Sequence, residues 1–238
     1  MNLQYTDMLA LLGVGGAHPG GLHLTKEVLV KEDITNVTTI LDIGCGTGQT
    51  AAYLFWEYGC KVSACDLNET MVQKANKRFK RMNLPLKAQV GHAEQLSFSD
   101  ETFDIVLFES VAAFTDLSRS LKECCRVLKK GGVALAIEMI KEPHLSEQDE
   151  HLLTDFYRFQ SMLTEKQWME RWEQAGFSIV TSGHEHVMEQ DDQPVDFGTE
   201  FDLSARIPST VYDLLDAHER LTEKFQSSLG FRVFRCIR

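Results

Sequence analysis

The run VTTILDIGCGTGQT, residues 37–50, constrains the fold of this chain more than any other stretch. Its first seven residues are mostly β-branched or apolar and predict a buried strand. Glycines then occupy alternate positions, at Gly44, Gly46 and Gly48, and an apolar face at helical spacing begins at once in QTAAYLFWEY, 49–58. A strand that passes into a helix through a short glycine turn belongs in an open α/β sheet, where ligands bind beyond the carboxyl ends of the strands. One glycine serves a plain turn. Three alternating ones point to a ligand lying close to backbone N–H groups.

The pattern continues along the chain. KVSACD (61–66), LKAQVG (86–91), FDIVLFES (103–110) and GGVALAIEMI (131–140) predict four more strands. NETMVQKANKRFKRMN (68–83) predicts a helix capped by Asn68, and DLSRSLKECCRVLKK (116–130) a helix closed by Gly131 and Gly132. Strands alternating with helices mean βαβ units and a mostly parallel sheet. Two strands at the end, 176–187 and 231–238, lack a regular crossover unit between them and are expected to pair antiparallel. Three segments lie outside the pattern: 1–36, 141–163 and 188–229. The organisation expected is one domain over 1–238, with 37–140 as core, 1–36 as an N-terminal lid, and 141–163 and 188–229 as substrate-lid elements.

Charge and cysteine content exclude several functions. A formal charge of −11 repels phosphate backbones, which argues against nucleic acid as substrate. No stretch of 18 apolar residues is present, so no membrane span is expected. MLALLGVGGA (8–17) follows Asp7 with no Lys or Arg before it, unlike a secretory signal. Six cysteines, none in a C-x-x-C pair, point to reduced thiols and a cytoplasmic setting, with a thiol site for a soft metal or metalloid as the alternative.

The glycine order is G-x-G-x-G rather than the dinucleotide G-x-G-x-x-G. Asp66, at the next strand end, can accept hydrogen bonds from both hydroxyls of a ribose and repels a 2′-phosphate. These residues point to a nucleoside without that phosphate. Together with GHAEQLSFSDETFDIVLF (91–108) and RSLKECCRVLKKGGVALAIE (119–138), LDIGCGTG and ACD resemble the class I S-adenosylmethionine-dependent methyltransferases. The ubiquinone and menaquinone biosynthesis branch and its small-molecule relatives are the most similar. The resemblance implies a Rossmann-like, doubly wound, mostly parallel sheet with an antiparallel last strand and helical lid elements. It implies S-adenosylmethionine as cofactor and S-adenosylhomocysteine as product. It further implies that Gly44, Cys45 and Gly46 line the methionine part of the cofactor. Asp42 would hold its amino group through water, and Asp66 would bind the ribose. Leu67 and Met71 would flank the adenine, Ala93 would give it a backbone contact, and Phe108 and Glu109 would sit beside the sulfonium and methionyl chain. His92 stands where the family usually has Asp, which leaves either His92 or Glu94 to accept from the adenine amino group. Lys130 replaces the family's Pro in a turn.

Such chemistry needs alignment of an acceptor behind an activated methyl group, exclusion of water and removal of a proton, so no fixed catalytic motif is expected. GVGGAHPGGLHLT (13–25) is the distinctive segment outside the core. Its glycines, including Gly20 and Gly21, permit close approach to the cofactor, and it offers His18 or His23 to the substrate ahead of a helix that Thr25 is expected to cap. As a bland segment it is a flexible tether. His144, after the fifth strand, is a further candidate or a solvated loop residue. His184 and His186 share one strand face, and either a metal site or a solvated strand end accounts for them. No metal is expected. The basic run KANKRFKR (74–81) is read as a solvated helix face, with a docking patch as the alternative. The acidic run 185–202 is an exposed loop or a lid that attracts a cationic acceptor. A small-molecule methyltransferase is therefore weighed against an NAD-dependent dehydrogenase and against a non-catalytic cofactor binder. The oligomeric state is open.

Overall fold

The computed structural model describes residues 3–183 and 200–238. The strands are β1 (Val14–Gly15), β2 (Thr39–Ile43), β3 (Lys61–Asp66), β4 (Ala88–Val90), β5 (Phe103–Glu109), β6 (Leu128–Lys141), β7 (Ile179–Gly183), β8 (Glu200–Phe201) and β9 (Leu229–Ile237). The helices are α1 (Tyr5–Leu12), α2 (Gly21–Leu29), α3 (Gln49–Tyr58), α4 (Glu69–Arg81), α5 (Leu117–Val127), α6 (Glu147–Tyr157), α7 (Glu165–Gln174) and α8 (Ser209–Phe225), with a 3-10 turn at Ala112–Phe114.

Seven strands form the main sheet in the order β4-β3-β2-β5-β6-β9-β7. The first five run parallel, while β9 lies antiparallel between β6 and β7. The expected antiparallel pairing of the last two strands is present. The order reverses at β2, and the carboxyl ends of β2 and β5 therefore flank the crevice where ligands bind in such sheets.

Strand periodicity sorts the side chains between two faces. On one face Ile40, Ile105, Leu107, Leu135 and Val233 pack against Leu24 and Val28 of α2 and Leu54 of α3. Ala64 and Ala88 meet Ala75 and Phe79 of α4. On the other face Val106, Phe108, Ala134 and Phe234 meet α5 and α7 through Leu121, Trp168 and Trp172. Tyr5, Met8, Leu153, Tyr157, Val211 and Phe225, from α1, α6 and α8, extend that second core beyond the sheet.

Several local expectations change. The side chain of Asn68 caps α4 as expected, accepting from Thr70 and Met71 N–H. Thr25 caps nothing: α2 starts at Gly21, and Thr25 lies inside it. Gly20 takes the cap position at φ +75°, where an added Cβ would stand 2.5 Å from Cβ of Leu24. That close contact belongs to the helix itself. The segment is therefore better packed than its glycine content implied. The helix after Asp116 stops at Val127, and β6 begins at Leu128, because its backbone already pairs with Phe103 there. Three helices, α6, α7 and α8, arise in stretches whose charge masked their apolar stripes, and α1 arises in the apolar run after Asp7. Among the described residues no helix is long and apolar enough to cross a membrane.

Candidate active site

The three glycines of the β2–α3 loop all have positive φ, at +71°, +52° and +73°. Their surroundings differ. A Cβ on Gly44 would stand 2.3 Å from Cγ2 of Val111, and one on Gly48 would stand 2.7 Å from Cζ of Phe79. Only Gly46 faces open space, with nothing within 4 Å of its added Cβ. Packing within the chain thus requires Gly44 and Gly48, and Gly46 alone of the three leaves room for a bound molecule. The loop's donors are organised by β3: Gly44 and Cys45 N–H donate to the Cys65 carbonyl, and Gly46 N–H donates to Oδ2 of Asp66 at 2.8 Å.

Three carboxyl groups converge on this loop. Asp42 sits on β2 and is buried, with Oδ2 lacking a hydrogen-bond partner. Burial pushes its carboxyl well above the usual range, and Glu109 and Asp66 push it further in the same direction. Asp66 ends β3; burial raises its carboxyl too, against the lowering effect of the Asn68 and Gly46 N–H groups. Glu109 ends β5 and points to the same face as Asp42, where its oxygens accept from the hydroxyls of Thr25 at 2.5 Å and Thr50 at 2.7 Å. Burial also pushes the Cys65 thiol up to about 12 and the Cys45 thiol upward. The loop is therefore lined by clustered acids and neutral thiols, an environment that favours a cation and disfavours a pyrophosphate.

The N-terminal segment lies directly on this cluster. A Cβ on Gly15 would stand 3.0 Å from Oγ1 of Thr47 in the loop, and one on Gly16 would stand 3.0 Å from Oε1 of Gln49. His18 is buried, with Nε2 at 3.3 Å from the Thr25 hydroxyl and 3.6 Å from Oε2 of Glu109. Residues 200–204 strap the segment from outside: β8 pairs with β1, Asp202 N–H donates to Gly13 carbonyl, and Ser204 N–H donates to Leu11 carbonyl.

The other expected residues are placed as follows. Leu67, two residues before α4, is exposed, and Met71 in its first turn is buried. His92 is exposed, its Nδ1 accepting from Glu94 N–H at 3.2 Å. Ala93 is buried. Glu94 accepts from Asp116 N–H at 3.0 Å and pairs with Arg119 at 3.3 Å. The Phe108 side chain does not sit beside the acidic cluster. It is fully buried on the opposite sheet face, edge-on to Trp172 with centroids 6.1 Å apart. Adjacent strand residues point to opposite faces, so Phe108 and Glu109 cannot share a site through their side chains.

The remaining histidines divide. His23 turns to solvent and pairs with Glu27 one helical turn on. His144 is exposed beside Ser228. His184 and His186 lie outside the described residues, and among those described no group of His, Cys, Asp or Glu is placed to hold a metal ion. Sequence reading missed His218 of α8. Its Nδ1 lies 2.9 Å from the Tyr157 hydroxyl, and Tyr5 packs on both rings. Phe159 stacks on Tyr157 and meets Phe114 of the turn after β5, so aromatic contacts run from α1, α6 and α8 to that turn. The signal was present in the aromatic run Phe156, Tyr157 and Phe159. Its partner on α8 was too far away in sequence to find.

Comparisons with known proteins give the family and the fold. Residues 41–136 match the methyltransferase domain family. An uncharacterized methyltransferase, YodH of Bacillus subtilis strain 168, is 37% identical over 231 residues, covering 97% of each chain. The ubiquinone/menaquinone biosynthesis C-methyltransferase UbiE of Rickettsia massiliae is 34% identical over 151 residues, covering 59% of this chain and 58% of that one. Among solved structures, phosphoethanolamine N-methyltransferase 2 of Haemonchus contortus, in complex with S-adenosyl-L-methionine, shares the fold with a TM-score of 0.77 at 20% identity, covering 98% of this chain and 57% of that one. The YcgJ protein of Bacillus subtilis shares it with a TM-score of 0.69 at 19% identity, covering 91% and 98%. With a relative 37% identical along nearly its whole length, the chain belongs to the methyltransferases.

Proposed function

We propose that this methyltransferase moves the methyl group of S-adenosylmethionine to a small-molecule acceptor by in-line displacement, at the carboxyl ends of β2, β3 and β5. The observation that carries the reading is the acidic cluster of Asp42, Asp66 and Glu109 beside the open face of Gly46. S-adenosylmethionine is a cation at its sulfur and its amino group, and the sulfonium supplies a methyl already activated for transfer. An ammonium group supplies the partner that buried Oδ2 of Asp42 lacks. Asp66 holds the ribose hydroxyls while its other bonds keep the Gly46 and Asn68 N–H groups in place. Met71 and Leu67 flank the adenine, and His92 accepts from its amino group through the ring nitrogen not engaged with Glu94. The same acids would repel the pyrophosphate of NAD, which disfavours the dehydrogenase reading.

Residues 13–25 exclude water from the methyl group, with His18 and Thr25 closing on Glu109. Alignment of the acceptor supplies much of the rate, for which positioning is worth about 7–11 kcal/mol. The lid elements set acceptor choice, and the packed rings of Tyr5, Tyr157, Phe159 and Phe114 hold α1 and α6 against the turn after β5. Incubation of the protein with methyl-labelled cofactor and fractionated cell extract tests the reading. The expected result is label in a compound of low molecular mass. Label confined to protein or nucleic acid would contradict it.

A further inference from the structure

The basic run of α4 is not a free solvated face. Three of its cations turn onto the strap at 200–202. Lys74 Nζ donates to the Asp202 carbonyl, and Lys77 Nζ donates to both Asp202 carboxylate oxygens, at 2.8 and 3.1 Å. Arg78 does more. Its guanidinium is buried, donating from Nε to the Thr47 carbonyl at 2.8 Å and from one terminal nitrogen to Oε2 of Glu200 at 2.5 Å. The same nitrogen lies 3.3 Å from the Thr47 hydroxyl. Thr47 stands between Gly46 and Gly48, so one planar fork joins the glycine loop to the strap. The strap in turn holds β1 by backbone pairing. Gly13, at φ +64°, has no room for a side chain there, since its Cβ would stand 2.3 Å from the Asp202 carbonyl oxygen.

We infer that Arg78 is a positioning residue that couples closure of the 200–204 strap to the shape of the glycine loop, so that the bound cofactor escapes when the Arg78–Glu200 and Lys77–Asp202 pairs open. The inference rests on the cofactor placement proposed above. Glu200 and Lys77 are half-exposed or more, so added salt weakens these pairs. The backbone ladder between β1 and β8 responds to salt far less. Ion pairing, not the ladder, is therefore the step that ionic strength can tune.

Stopped-flow displacement of S-adenosylhomocysteine from the full chain tests this. The expected release rate of the unaltered protein rises about fivefold or more between about 0.05 and about 0.5 M salt. The combined variant Glu200→Gln, Asp202→Asn is expected to release at the fast rate even at low salt and to respond little to added salt. A charge exchange gives a second reading: Lys77→Asp alone speeds release, and Lys77→Asp with Asp202→Lys restores slow release. Equal low-salt rates in the unaltered and doubly neutralised proteins, or an exchange that restores nothing, would overturn the coupling. Asp66→Ala is the separate control. Unchanged affinity in that variant overturns the cofactor placement, whereas unchanged release in the strap variants overturns only the coupling.

Discussion

The Thr25 hydroxyl donates to Oε1 of Glu109 at 2.5 Å and so ties α2, the helix just ahead of β2, to the end of a central strand 84 positions later. Thr50 holds the other oxygen from α3 at 2.7 Å. Thr25→Val keeps the shape and removes the donor. Hydrogen bonds to carboxylates contribute about 1.5–3 kcal/mol, so urea denaturation should show a loss in that range. Cofactor affinity should fall as well, because Glu109 loses one of the two hydroxyls that aim it. Full affinity with the stability loss would make the contact purely structural.

Gly44 and Gly46 make a paired test. Gly44→Ala meets the Val111 side chain and a positive φ together, and should lower the thermal midpoint through a cost of about 2 kcal/mol or more. Gly46→Ala meets only the positive φ, at about 1–2 kcal/mol, yet it fills the open face. It should therefore damage S-adenosylhomocysteine binding more than its stability cost accounts for. Thermal melts and calorimetry on both variants separate the two effects.

Glu138 gives a pH dependence. It is fully buried on β6, with Oε1 accepting from Val111 and Ala112 N–H at 3.1 and 2.9 Å. Burial pushes its carboxyl up to about 7. The folded state therefore holds a proton that the unfolded chain releases at ordinary glutamate pH. The stability this confers is fully present below the unfolded pKa and is lost as pH rises toward about 7, on the order of 3 kcal/mol in all. Glu138→Gln keeps an acceptor oxygen and removes the titration. The variant should match the natural protein near about pH 4.5 and be the more stable of the two near about pH 8, as read by urea denaturation. Parallel stability curves would contradict the assignment.

The N-terminal segment yields another prediction. His18 packs between Pro19, Thr25 and Glu109, so His18→Ala should impair turnover more than it impairs binding if the ring also faces the acceptor. Limited proteolysis between Gly15 and Gly21 should slow when S-adenosylhomocysteine is added, as expected of a lid. Equal cutting with and without ligand, together with full activity after removal of residues 1–24, would leave the segment as a tether.

The core from 37 to 140 was legible because its signals are local: strand runs, caps and glycine turns within a few residues of one another. Asp66 was legible as a strand end for the same reason, whereas Asp42 and Glu109 were singled out only through the family resemblance. Phe108 was misplaced although strand alternation with Glu109 was enough to place it. Thr25 was misplaced because Gly20, a less obvious cap, starts the helix earlier. Lys77 and Arg78 looked solvated because their partners, Asp202 and Glu200, lie more than 120 positions away, and the Tyr157–His218 contact spans 61. No local pattern carries such pairings; they exist only once the sheet has brought the elements together.

We propose a methyl-donor site on the glycine loop and the carboxylate at the end of β3. Calorimetric titration of S-adenosylhomocysteine and of NAD into the natural protein and into Asp66→Ala tests it most directly. Binding of S-adenosylhomocysteine with little binding of NAD is expected, with an affinity at least about tenfold weaker in the folded Asp66→Ala variant, since charge-assisted bonds to the ribose are each worth about 1.5–3 kcal/mol. Tight NAD binding, or an Asp66→Ala variant that binds S-adenosylhomocysteine as well as the natural protein does, would contradict it.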